Sequence, residues 1–94
     1  MKFYTRARDM FEKLGDDRNT GLALYWMGDH TAYSFKWGEA ARYAEMAVPY
    51  LKKADDTQGL RRCYDFLSEM YKRVPDQAKS DQYKKMSEGL APKK

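Results

Sequence analysis

Apolar and small residues recur at spacings of three and four along most of the chain, as in Leu24, Met27, Gly28 and Thr31 and again in Ala40, Tyr43, Ala44 and Ala47. That spacing keeps one side of a 3.6-residue turn apolar and predicts helix. No stretch alternates as a half-buried strand would. Punctuation falls at Gly15 to Asp17, Ser34 to Gly38, Ala54 to Thr57 and Val74 to Asp76, where Asp and Ser suit helix N-caps and Pro75 suits a first turn. The pattern predicts five helices, near residues 2–14, 17–33, 36–53, 56–73 and 76–89. Turns this short force neighbouring helices antiparallel, and the tail after Gly89 is expected to fray.

Sliding the sequence against itself by 40 positions aligns Phe3 with Tyr43 and Tyr83, Ala7 with Ala47 and Ser87, Met10 with Tyr50 and Leu90, and Phe11 with Leu51. The same shift pairs Asp16 with Asp56, Met27 with Leu67, Gly28 with Ser68 and Met46 with Met86, without gaps. A register held that long marks an internal repeat, and repeated helical hairpins stack into arrays. The small residues Gly28, Ala40, Ala44 and Ala47 predict one close helix crossing. Pro49 has no amide hydrogen and its ring crowds the carbonyl of Glu45, which predicts a kink, or a break, late in the third helix.

The series Leu24, Met27, Gly28 and Thr31, followed by Ala40, Ala44 and Ala47, resembles the tetratricopeptide repeat (TPR) pattern, and the segment from Lys36 to Ala40 is similar to that family's hairpin turn. A second copy, Tyr64, Leu67, Ser68 and Tyr71 with Ser80, Lys84 and Ser87, matches in its first helix and departs in its second. The 40-residue period exceeds the family's usual period of about 34, as in kinesin light chain and bacterial regulator arrays. The resemblance implies an all-α, TPR-like α-solenoid over residues 1–90, with a half repeat at 1–15, a repeat at 16–54, a degraded repeat at 55–90 and a tail at 91–94. Helix 1 then corresponds to the second helix of a repeat whose first helix is missing. Its stripe of Phe3, Ala7, Met10, Phe11 and Leu14 is either covered by helix 2 or exposed, and Phe3, Met10 and Phe11 become candidates for self-association into a homo-oligomer.

In the TPR family the first helix of each hairpin lines a concave surface, so the resemblance implies an adaptor or regulatory scaffold that binds a protein segment. On this chain it carries that role to Tyr25, Asp29 and Tyr33 with Leu22 and Ala32 on helix 2, and to Arg62, Asp65, Glu69, Lys72 and Arg73 on helix 4. Aromatic anchors and charge-assisted bonds would hold an extended or helical partner. An ordinary solvated face is the plainer alternative. The Lys and Asn constellation with which some co-chaperone members clamp a terminal carboxylate is not found on these faces.

Charge changes the picture little. The net +4 concentrates at the C-terminal end, where residues 79–94 hold five lysines and two acids, leaving 13 basic against 12 acidic residues before them. Lys79, Lys84, Lys85, Lys93 and Lys94, with Arg61, Arg62 and Arg73 on the neighbouring helix, make nucleic-acid binding the rival reading. A polar capping helix accounts for the same residues, since Gln82, Tyr83, Met86 and Leu90 share the side opposite the lysines.

Nothing points to catalysis. His30 is the only histidine and neighbours Asp29, but adjacent helical residues point about 100° apart, so a dyad is not expected. One histidine and one cysteine, Cys63, supply no metal-ligand spacing, and no phosphate loop or nucleophile elbow occurs, so neither metal nor cofactor is expected. A lone cysteine and an N-terminus without an apolar run fit a cytoplasmic protein without membrane insertion.

Overall fold

The computed structural model of the chain describes residues 2–90. These form five α-helices, α1 (Lys2–Lys13), α2 (Asp17–Ala32), α3 (Trp37–Lys53), α4 (Thr57–Arg73) and α5 (Gln77–Gly89), with no strand among the described residues. Each boundary lies within one residue of the one the periodicity predicts. The tail at 91–94 lies outside the described residues. Helices adjacent in sequence are packed together, α1 on α2, α2 on α3, α3 on α4 and α4 on α5. The result is a slab with principal extents of 35 × 35 × 16 Å, thin enough that the core is confined to the helix crossings.

The turns repeat at half the sequence period. N-caps fall at Asp16, Lys36, Asp56 and Asp76. Three of them use the same device: the carboxylate of Asp16 accepts from the Asn19 amide at 3.1 Å, that of Asp56 from Gly59 at 3.0 Å and that of Asp76 from Lys79 at 3.2 Å. Lys36 has no side chain able to accept, and its cap is bare. The residues just before the first three caps, Gly15, Phe35 and Asp55, all sit in the left-handed region, at φ 70°, 62° and 53°. Pro75 precedes the fourth and cannot adopt that conformation.

The closest crossing joins α2 to α3. A Cβ on Gly28 would stand 2.9 Å from the backbone carbonyl oxygen of Ala40, so only glycine permits this approach. Gly21 meets Leu51 in the same way two turns earlier, where the neighbour is a side chain rather than backbone. Around this seam Leu24, Met27, Ala40, Ala44, Ala47 and Leu51 are buried. Buried hydroxyls are satisfied locally: Thr31 donates to the Met27 carbonyl at 2.8 Å, and Ser80 donates to the Ser68 carbonyl at 2.9 Å across the α4–α5 crossing.

α3 passes through Pro49 as one helix. Pro49 is exposed, on the outer side of the helix. One turn earlier on the helix, the Glu45 carboxylate accepts from the Tyr71 hydroxyl at 2.9 Å and from the Tyr83 hydroxyl at 2.8 Å. The two phenol rings stack at 5.8 Å between centroids. This clasp ties α3, α4 and α5 together and supplies an anchoring role for the half-buried face of α5, where Tyr83, Met86 and Leu90 pack on the core.

Candidate functional site

α2 and α4 lie on either side of α3 in the chain and together open a groove of about 590 Å³. It gathers Tyr25, Asp29, Ala32 and Tyr33 from α2 with Arg62, Asp65, Glu69 and Arg73 from α4. All come to one surface because residues three and four apart share a helix face and the two helices run the same way. Lys72, on the same expected face, is not part of the lining. Its ammonium lies 3.4 Å from the Glu69 carboxylate at an exposed edge. Leu22 also falls elsewhere, on the side of α2 that meets α1.

Four further residues, which periodicity does not single out, complete the groove: Phe35 from the α2–α3 connection, Trp37 from the first turn of α3, and Phe66 and Met70 from α4. Phe66 forms part of the floor, its ring edge-on to Tyr25 with centroids 5.4 Å apart. Phe35 and Trp37 pack edge-to-face at 5.6 Å, and the Arg73 guanidinium lies 4.9 Å from the centre of the Trp37 ring. Tyr33 and Phe35 are 79% and 77% exposed, so two large rings stand in water at one end of the groove.

The groove is therefore aromatic below and charged along its sides, with three carboxylates against two guanidiniums. Burial pushes the Tyr25 hydroxyl above its ordinary range, and the nearby Asp29 carboxylate adds to the shift. The phenol stays neutral and able to donate across the physiological range. Asp65 is held from behind by the Ser87 hydroxyl of α5, which fixes one acid of the wall.

A second groove, also about 590 Å³, runs between α1 and α2. Phe3, Met10 and Phe11, the self-association candidates, line it with Ala7, Leu22 and Trp26. Helix α2 covers the α1 stripe only partly: Phe3 is 76% exposed, Met10 52% and Leu14 73%, while Phe11 is half-buried.

The remaining candidates are dispersed. His30 is exposed, its ring 6.2 Å from that of Tyr4, whereas Asp29 faces the α2–α4 groove. No group of three possible metal ligands occurs among the described residues. Cys63 is buried, and desolvation pushes its thiol up to about 12. Lys84 and Lys85 are exposed on α5, Lys79 sits 5.0 Å above the Tyr71 ring, and Lys93 and Lys94 lie outside the described residues. No helix among the described residues is long and apolar enough to cross a membrane.

No protein-family model, curated protein or solved structure matches the chain.

Proposed function

We propose that the chain is a TPR-like helical-repeat domain, non-catalytic and cytoplasmic, that serves as an adaptor by holding a partner protein segment in the groove between α2 and α4. The observation that carries this reading is Phe35. A bulky residue in the left-handed region costs about 1–2 kcal/mol, and here the ring so placed is exposed at the mouth of an aromatic groove. The turn needs a left-handed residue, as Gly15 and Asp55 show, but a small side chain would serve it, and a ligand gives the exposed ring a use. Tyr25, Phe66 and Trp37 would receive an apolar anchor, while Arg62 and Arg73 against Asp29, Asp65 and Glu69 would orient a segment carrying both signs of charge.

The rival nucleic-acid reading loses two of its arginines in this geometry. Arg62 and Arg73 share their groove with three carboxylates, which repel a phosphate backbone.

A display library of random peptides selected on the intact protein tests the proposal. Selected peptides are expected to lose at least tenfold in affinity with Tyr33→Ala and with Glu69→Lys, at unchanged thermal stability. Peptides indifferent to both substitutions would place binding elsewhere.

A further inference from the structure

The groove between α1 and α2 has a counterpart inside the same molecule. A shift of 40 residues carries Phe3, Ala7, Met10, Phe11, Ala23 and Trp26 onto Tyr43, Ala47, Tyr50, Leu51, Cys63 and Phe66. The second set lies between α3 and α4, and there the seat is filled, because α2 lies in it. Gly21 of α2 packs on Leu51 and Tyr50, Gly28 packs on Tyr43 and Ala44, and the Tyr25 ring meets Phe66. Ala47, Leu51 and Cys63 are wholly buried there. In the first copy Ala23, the counterpart of Cys63, is also buried, but Ala7 and Phe11 are only half-buried, and Phe3, Met10 and Trp26 are 76%, 52% and 39% exposed where Tyr43, Tyr50 and Phe66 are half-buried.

We infer that the α1–α2 groove is the docking seat for an amphipathic helix of α2's own chemistry. The occupied copy specifies the ligand. It lies antiparallel to α1 and carries small residues seven apart where it crosses α1, as Gly21 and Gly28 do on α3. Between them it places an aromatic or Leu side chain on the indole of Trp26. Phe11 stands where the filled seat has the smaller Leu51, so a small residue is required still more strongly at that crossing. Leu22 replaces Arg62, which makes this seat the more apolar of the two, and Arg6 at the rim favours an acidic residue on the incoming helix.

A second copy of this chain does not meet that specification. Its helices with small residues seven apart are α2 with Gly21 and Gly28, α3 with Ala40 and Ala47, and α5 with Ser80 and Ser87. All six residues are already buried against neighbouring helices. The exposed edge of α1 offers the large side chains Phe3, Met10 and Leu14 instead, which hold a crossing helix away.

The probe is a capped synthetic peptide with the sequence of residues 17–33, titrated into the intact isotope-labelled protein. Saturable binding is expected, with the Trp26 indole N–H and the Met10 methyl among the most shifted signals. Met10→Asp, at an exposed position, should weaken binding at least tenfold, while Tyr33→Ala in the other groove leaves it unchanged. A peptide in which both glycines become leucine should bind at least tenfold more weakly. Absence of binding, binding that ignores Met10→Asp, or a protein that instead dimerises through this face as concentration rises would each overturn the inference. Because the α2–α4 groove is monitored by Tyr33→Ala, failure here is separable from failure of the proposed function.

Discussion

Phe35 occupies the same left-handed backbone position as Gly15 twenty residues earlier, at φ 62° against 70°. Both residues stand immediately before a helix N-cap, and both allow the chain to reverse in three or four residues. Glycine adopts this conformation without steric cost and phenylalanine does not. Phe35→Gly is therefore expected to stabilise the fold by about 1 kcal/mol in urea denaturation and to weaken selected groove peptides. Loss of stability together with unchanged binding would show that the ring serves the fold.

The α2–α3 seam predicts that two glycines respond oppositely. Gly28→Ala sets a methyl against backbone, the Ala40 carbonyl, and should cost about 1–3 kcal/mol, because backbone cannot turn aside as a side chain can. Gly38 lies in the first turn of α3 with nothing near its would-be Cβ. Gly38→Ala should stabilise by up to about 1 kcal/mol through helix propensity. Chemical denaturation of the two variants side by side measures the contrast.

The Glu45 clasp makes two claims on stability. Tyr83→Phe removes one charge-assisted hydrogen bond and should cost about 1–2 kcal/mol, with Glu45→Ala costing more because both phenols lose their acceptor. Alkali should act through the same node. Burial first, and the bond to Glu45 second, push the Tyr71 hydroxyl up to about 12 from an ordinary 10.0. Between those values the unfolded chain releases a proton that the folded chain retains, so this contribution is fully present below pH 10 and is lost as pH rises toward 12. The stability gap between wild type and Tyr71→Phe should narrow from pH 9 to pH 11.5, read by far-ultraviolet circular dichroism; a constant gap would disconnect Tyr71 from the alkaline response.

Cys63 should behave as a packing residue. Buried, and with its thiol pushed up to about 12 by desolvation, it has almost no thiolate at neutral pH. Labelling by a thiol disulfide reagent is expected to proceed only as fast as the protein opens, and to accelerate by orders of magnitude in denaturant. Rapid native-state labelling would mean that the α3–α4 interface is loose.

Helix positions were legible in the sequence because an apolar stripe needs only local spacing, and the 40-residue shift fixed which helices correspond. The groove was legible in part. Tyr25, Asp29 and Tyr33, and Arg62, Asp65, Glu69 and Arg73, share stripes that periodicity alone reveals. Phe66 was hidden because it lies between the packing stripe and the outer face, and its membership depends on how α4 is rotated. Phe35 and Trp37 were hidden for another reason: the direction of the turn is set by a left-handed φ at a residue that is not glycine. Leu22 faces the α1–α2 groove and not the α2–α4 groove, because α2 borders both and the sequence does not show where one ends. The Glu45 clasp joins residues 26 and 38 positions apart and has no local signature.

The most direct measurement of groove binding is a two-dimensional amide and side-chain spectrum of the labelled protein with a selected peptide, recorded at low and high salt. Partner binding between α2 and α4 predicts the largest shifts at Tyr25, Asp29, Phe35, Arg62 and Glu69, with affinity falling only modestly as salt rises. Shifts centred on Lys79, Lys84 and Lys85, with nucleic acid binding the protein more tightly than any peptide and losing affinity steeply with salt, would contradict it.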